Sequence, residues 1–480
     1  MRRTPCRNAG GRVAPVFDVF ALWERKRFMI SRCFSVSTCL FFQFAAVQAL
    51  AQEKIPAESE GRPLVTEETA AEKRDAARIP VSLTPQKSHS WFDDLEGHVV
   101  VEAGVNGNPW TQTGRNWAQY YVDRANTGTL NQITGTLSHP VSDLGGGYGL
   151  GFLFEVMYGS DARFTPTIGM GDGSLTGIYQ WAPTQAHIDA HLPWLSKGGI
   201  DLQIGQQYGI QGFEGTDALE RPFYSYNYSS DYIVPFETVG VLATWHMTDT
   251  VAWVLGVNAG NSTTFGGAKN NKRPKGYFGV QLTGLADGNL DVAAIAYLGP
   301  QQSVYAIGNV ANQKMEYVGD ILATYKLNDT TSITLNGTYY HDDYLQDDVY
   351  GVTTYFAHDF SPSLTFNARG EIFRDNNGQV VGANTSTMSY VNELRGRSYP
   401  YDQAPGTTYG ELTVGVTYRP EFLKLPRGSF SLRPEVRLDK SLNGTRPFNH
   451  VSPTDDPNVN FANNGTNNMF WFSCDAIWSY

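Results

Sequence analysis

In the stretch LRPEVRLD (432–439), Arg433, Glu435, Arg437 and Asp439 occupy every second position. Side chains two apart on an extended chain point to the same side, so the stretch presents a row of alternating charge. Arg369 and Glu371 repeat that spacing in NARGEIF (367–373), and Glu411 with Arg419 flanks a third such stretch. If the row lines a passage it orients ions and polar solutes, because rings of charge set selectivity. On that reading, replacing Arg433 and Arg437 by Glu shifts selectivity toward cations. The alternative is a ladder of cross-strand ion pairs that only stiffens a wall, and the regular interleaving suits both.

Other residue groups carry weaker chemical signals. His187, Asp189 and His191 share one side of a strand, but side chains at this spacing lie about 6.6 Å apart. That is wide for a single metal ion, and wall lining explains them more simply. His341, Asp342 and Asp343 with Asp347 and Asp348 form either a hard-cation site or an acidic rim. The sequence has no G-x-S-x-G elbow and no zinc or phosphate-loop motif, although a catalytic triad is assembled in space rather than in sequence. Of the cysteines, Cys6, Cys33 and Cys39 precede the leader cleavage site argued below, leaving Cys474 unpaired, which excludes a disulfide scaffold. Neither a catalytic residue, a cofactor nor a metal is expected.

The elements that position these residues read as strands. The segment FWFSCDAIWSY (470–480) alternates, with Phe470, Phe472, Cys474, Ala476, Trp478 and Tyr480 on one side and Ser473, Asp475 and Ile477 on the other. The pattern recurs near 97–106, 128–139, 147–159, 184–194, 199–208, 234–247, 251–259, 275–284, 289–298, 314–327, 331–341, 348–359, 364–372, 410–419 and 429–439. That makes about sixteen strands. Links after even-numbered strands are short (LSKG, MTDT, LADG, LNDT, FSP), whereas links after odd-numbered strands are mostly long. Short turns on one rim and long loops on the other characterise outer-membrane barrels, whose strands of roughly 10 residues span an apolar band about 25 Å tall. Aromatic residues gather at strand ends (Tyr158, Trp194, Trp245, Trp253, Tyr418, Trp478, Tyr480), as an interfacial girdle requires. In lipid every backbone group must be paired, so the sheet closes. The final strand would pair with the first, near 97–106, and Cys474 would face lipid.

The N-terminus supplies the export signal. Residues 1–28 read as an upstream extension ahead of a start at Met29. CFSVSTCLFFQFAAVQALA (33–51) follows a short positive region and ends in small residues, which predicts cleavage after Ala51. Residues 52–91 read as a flexible periplasmic linker, and 92–480 as the barrel. The whole chain has a formal charge of −11. Eight Lys/Arg but only two Asp/Glu lie within residues 1–51, so the remainder is more acidic still. There is no basic footprint for nucleic acid.

Six blocks carry a family likeness: YGSDARFT (158–165), GQQYGIQGFE (205–214) with PFYSYNY (222–228), PFETVGVLATW (235–245), FRDNNGQVVG (373–382), LTVGVTYRP (412–420) and LRPEVRLD (432–439). Through them residues 92–480 resemble the OmpL-like β-barrel porin family. The resemblance implies an all-β, closed antiparallel transmembrane barrel in the outer membrane of a Gram-negative bacterium with a pore function, and passive diffusion of small hydrophilic solutes through a charged lumen is the expected activity. By analogy with general porins, the third long loop (209–233) folds inward. That would set Glu214, Asp217, Glu220 and Asp231 across a constriction from Arg369, Arg419, Arg433 and Arg437, with Glu371, Glu411 and Glu435 interleaved on the wall. The alternative is an external loop folded on its own aromatics. The expected partners are outer-membrane lipid, the solutes, and the assembly machinery, which is taken to recognise a terminal aromatic such as Tyr480. A monomer is favoured, because no outward strand face reads as flat and Gly/Ala-rich. Two other functions stay open: a barrel-embedded hydrolase, and a plugged structural or adhesin barrel.

Overall fold

The computed structural model describes residues 94–480 apart from 112–113, 171–176, 266–270, 385–400, 404, 424–425, 427–428 and 450–464. The expected start, leader and linker lie outside the described residues. Sixteen antiparallel strands form one closed barrel. They are β1 (Glu96–Gly107), β2 (Thr127–Gly145), β3 (Tyr148–Gly159), β4 (Gln180–Leu192), β5 (Ile200–Tyr208), β6 (Glu237–His246), β7 (Val251–Asn261) and β8 (Lys275–Gly284). The second half comprises β9 (Leu290–Pro300), β10 (Met315–Asn328), β11 (Thr331–Asp342), β12 (Asp347–Ser361), β13 (Leu364–Asp375), β14 (Thr407–Tyr418), β15 (Phe430–Ser441) and β16 (Asn468–Ser479). A small hairpin of Gly382–Asn384 with Tyr401–Gln403 rises in the link between β13 and β14.

The period of two does the sorting. Along β16, Phe470, Phe472 and Trp478 are exposed on the outside, while Met469, Trp471, Ser473, Asp475 and Ile477 are buried inside. An apolar exterior is stable only against lipid, and lipid leaves no unpaired strand edge. Closure follows: β1 and β16 run in register from Val100↔Ser479 to Gly107↔Phe472. Beyond that ladder, Val99 and Tyr480 exchange backbone hydrogen bonds of 2.8 and 2.9 Å.

The connections fall into the two expected classes. At the tight LADG link between β8 and β9, Ala286 (φ 51°) and Asp287 (φ 58°) are consecutive left-handed residues, the hairpin geometry whose twist matches that of the flanking strands. The first short link is tighter than expected, because β2 runs on to Gly145 through register shifts at His139/Ser142 and Asp143/Gly145. Aromatic girdles mark both rims. Trp194 donates to Tyr148 Oη at 3.2 Å on the short-turn rim, and Tyr158 packs on Trp181 at 4.8 Å on the other.

On the outward faces of β9 and β10, Gly319 pairs with Ala296, whereas Ala294 pairs with the exposed Ile321 and Ala323 with Val292.

The barrel interior is not empty. Described residues of the links after β1, β3 and β5 pack together inside the barrel: Tyr120, Tyr121, Phe164, Tyr226 and Phe236 form one buried cluster. A larger cluster joins Trp117, Tyr224, Tyr228 and Ile233 of these links to Tyr277, Tyr297, Val318, Phe373 and Trp471 of the walls.

Candidate functional site

The link 209–236 leaves β5 and returns to β6 through a narrow neck. Gly209 N–H donates to Phe236 O at 3.0 Å, and a Cβ on Gly209 would stand 1.9 Å from Pro235 O. From that neck the chain crosses the lumen and lies against β11 to β16 and β1. It is locally irregular, so its peptide groups need partners. Asp217 caps a short turn, Ala218–Glu220, by accepting from Leu219 N–H at 2.8 Å. Asn227 caps the helix Tyr228–Tyr232 by accepting from Ser230 N–H at 2.9 Å.

The wall supplies the remaining partners, and it does so with the charged row. Glu435 accepts from Tyr224 N–H (2.9 Å) and Ser225 N–H (3.2 Å). Glu371 accepts from Tyr228 N–H (2.6 Å), Ser229 N–H (3.0 Å) and the Ser229 hydroxyl (2.7 Å). These are the free amides at a helix start, where a carboxylate is favoured. The guanidiniums take the carbonyls: Arg369 donates to Ser225 O at 2.7 Å, Arg433 to Ala218 O at 3.0 Å and to Arg221 O, and Arg437 to Tyr226 O. Alternating acid and base along the strands therefore matches the alternating donors and acceptors of the irregular backbone laid on them.

Charge balance is local. Arg369 holds Glu214 at 2.6 Å and Glu411 at 3.1 Å. Arg433 bonds Asp475 at 2.5 Å and Glu102 at 3.1 Å, and Glu102 also holds Arg221 of the loop at 2.6 Å. Arg437 bonds Asp439 at 2.8 Å. The side chains of Arg369 and Arg437 are 0% exposed and that of Arg433 is 4% exposed. Close packing is built in elsewhere too, since a Cβ at Gly104 of β1 would sit 2.4 Å from the Tyr224 ring.

The expected residues thus divide. Glu214, Glu371, Glu411, Glu435, Arg369, Arg433 and Arg437 come together at one loop and wall contact. The expected gap between acids and arginines is absent: Glu214 touches Arg369 directly, because burying unpaired charge on either face would cost several kcal/mol. Arg419 lies past the end of β14 at the short-turn rim, where it donates to Thr365 Oγ1 at 3.3 Å, away from the loop. Asp217 serves its own turn, and Glu220 borders a cavity. Asp231 is 3% exposed inside the loop. Burial pushes its carboxyl well above the usual carboxylate range, against the pull of Arg437 and of the Tyr120 backbone amide.

Sequence reasoning missed Glu102, which stands alone among apolar neighbours in VVVEAGV, and Arg221, which is embedded in an otherwise acidic loop. Arg163 was overlooked as well; it grips Asp123 through two bonds of 2.8 Å and ties two inward links together.

The histidines line the wall. His187 Nδ1 lies 2.9 Å from Asp189, while Asp201 bridges His191 (2.6 Å) and His246 (2.7 Å). At the opposite rim, Asp342 is committed to the backbone N–H groups of Tyr344 and Leu345 at 2.7 and 2.8 Å. Among the described residues no group of three or more His, Cys, Asp or Glu is placed to hold a metal ion. Beneath the loop, toward the short-turn rim, a cavity of about 400 Å³ remains.

Among curated proteins none matches this chain. Solved structures similar to it include the outer-membrane channel DcaP of Acinetobacter baumannii, with 10% identity, 80% of this chain and 97% of that chain covered, and TM-score 0.49. An anion-selective porin from Comamonas acidovorans is similar at 10% identity, with 80% and 99% covered and TM-score 0.47. OmpF of Salmonella typhi, in complex with daunomycin, is similar at 9% identity, with 80% and 97% covered and TM-score 0.48. The sequence profile of the family described as "Putative beta-barrel porin-2, OmpL-like" matches residues 94–477, nearly the whole barrel. The chain belongs to that family and is an outer-membrane porin.

Proposed function

We propose that this porin passes small hydrophilic solutes by passive diffusion, without chemistry, along the lumen that the 209–236 loop narrows. The observation that carries this reading is the loop itself, held deep in the barrel by Arg369, Arg433, Arg437, Glu371 and Glu435. A porin lumen narrowed by a fixed loop discriminates by size and polarity. The wall arginines are spent on the loop, so they act as its framework and set pore charge only indirectly. Glu96, Asp189 and Glu220 border the space beneath the loop, while the Glu214 carboxylate, 0% exposed, is held by Arg369 and is not offered to a passing solute. Purified protein in planar bilayers should give discrete conductance steps. Consistent silence from several folded preparations would refute diffusion.

The filled interior favours a second reading, a plugged barrel with a structural role. Heat-modifiable migration of a folded barrel combined with that silence would select it.

A further inference from the structure

The fixed charges that meet the space beneath the 209–236 loop are of one sign. Its described lining includes Glu96, Asp189 and Glu220 and contains no Lys or Arg; the imidazoles of His139 and His187 also border it. The arginines of the lumen are withdrawn. The side chains of Arg221, Arg369 and Arg437 are 0% exposed and that of Arg433 is 4% exposed, and each grips a carboxylate. Lys275 is equally buried and bonds Glu316. Glu214 is committed to Arg369, and Glu155 accepts from the Thr136, Thr184 and Tyr208 hydroxyls at 2.9, 2.7 and 2.6 Å. What remains open is acidic. Asp189 keeps an 11% exposed side chain beside His187, Glu220 is half-buried, and Glu96 stands exposed at the short-turn rim, paired with Ser138 across the ladder. Two bases near that rim, Lys326 and Arg419, do not line the space, and Asp201 and Asp291 add acid at the same level of the wall.

We propose that this space is a cation-selecting vestibule, in which Glu96, Asp189 and Glu220 give the pore a preference for small hydrated cations, potassium or a protonated alkylamine, over anions of like size. No ion needs to be held there, since among the described residues no group of three or more His, Cys, Asp or Glu is placed to hold a metal ion. Selection comes from the field. Charges of one sign along a narrow space with low-dielectric walls focus field lines and raise the local concentration of counter-ions, and acidic linings select cations. The proposal deepens the diffusion reading and rests on it for the current, though not for the sign of the field.

The test uses the full-length folded protein and two readouts. In planar bilayers under a potassium chloride gradient, the reversal potential should show potassium passing severalfold more readily than chloride at low salt. The ratio should approach one at high salt, as the screening length shrinks from about 10 Å at 0.1 M to about 3 Å at 1 M. Asp189→Asn with Glu220→Gln should bring the low-salt ratio toward one. Should that pair lose the heat-modifiable folded band, Glu96→Gln with Glu220→Gln replaces it, with a partial fall expected. The second readout needs no conduction. Gln203 lines the space, and in a Cys474→Ala background the Gln203→Cys thiol should react severalfold faster with a cationic than with an anionic methanethiosulfonate, relative to a free thiol in solution. Neutralising the acids should remove that excess. Conducting channels with no preference, or with a preference for chloride, overturn the proposal and leave diffusion standing, as does a cation preference that the neutralised variants keep. A silent barrel whose Gln203→Cys thiol favours the cationic reagent upholds the acidic vestibule and removes diffusion; a silent barrel without that excess overturns both.

Discussion

Replacing Arg369 by Met should release the 209–236 loop. The guanidinium makes three bonds to that loop, at 2.6 Å to Glu214, 2.7 Å to Ser225 O and 3.1 Å to Ser225 Oγ, and bonds Glu411 of the wall as well. Methionine fills much of the volume but leaves the Glu214 and Glu411 carboxylates, both 0% exposed, without their cation. Removing one partner of a buried pair costs about 3–5 kcal/mol. Water reaches both carboxylates once the loop lifts, so the penalty falls on the docked state alone. At about 1.4 kcal/mol per factor of ten, the ratio of docked to undocked loop falls roughly a hundred- to a few thousandfold. Single-channel recording with polyethylene glycols of graded size reads this directly. Open steps should grow or lengthen, and the exclusion limit should rise. In a Glu214→Gln, Arg369→Met double variant the two effects should be non-additive, since one buried charge is removed with its partner. An Arg369→Met barrel that folds normally yet keeps the parent conductance and size limit refutes the idea that this arginine anchors the loop.

Asp231 makes docking pH-dependent. Its carboxyl titrates higher in the docked loop than the ~3.9 of a solvated aspartate. Between those two values the docked state holds a proton that the undocked state has lost, so docking is strongest below the window and weakens as pH rises through it. Open probability in bilayers should climb with pH, and Asp231→Asn should flatten that dependence. Gly104→Val should push Tyr224 from its place and enlarge the conductance, because even a Cβ at this site meets the ring at 2.4 Å. The double change Arg433→Glu, Arg437→Glu places new carboxylates beside Asp475, Glu102 and Asp439. It should abolish the heat-modifiable folded band rather than convert ion selectivity; a folded barrel with altered selectivity would contradict the pairing described here. Deleting Tyr480 removes two closing hydrogen bonds to Val99, each worth about 0.5–1.5 kcal/mol, so the folded fraction on refolding should fall while the conductance of correctly folded channels stays unchanged.

The alternation of apolar and polar residues by itself determined the strands and which side chains share a face; the export signal, the even strand count, the two classes of connection and the aromatic strand ends then pointed to a barrel with its apolar face outward. Strand side chains take only two directions, so a period of two places Arg433 and Phe472 on polar and apolar faces without any knowledge of neighbours. The two classes of connection and the aromatic rims were legible for the same local reason. What the charged row does was not. Interleaved Arg and Glu suit a selective pore, a ladder of ion pairs and a cradle for irregular backbone equally well, and only the path of residues 209–236 across the lumen chose the cradle. That path depends on contacts such as Glu371 with Tyr228 N–H and Arg221 with Glu102, between residues more than a hundred positions apart. Arg419, one residue past the end of β14, shows how a pattern can be right about direction while missing depth. Sequence periodicity reports the direction of a side chain along one strand; the charge it meets and its depth within the barrel are set by chain segments distant in sequence.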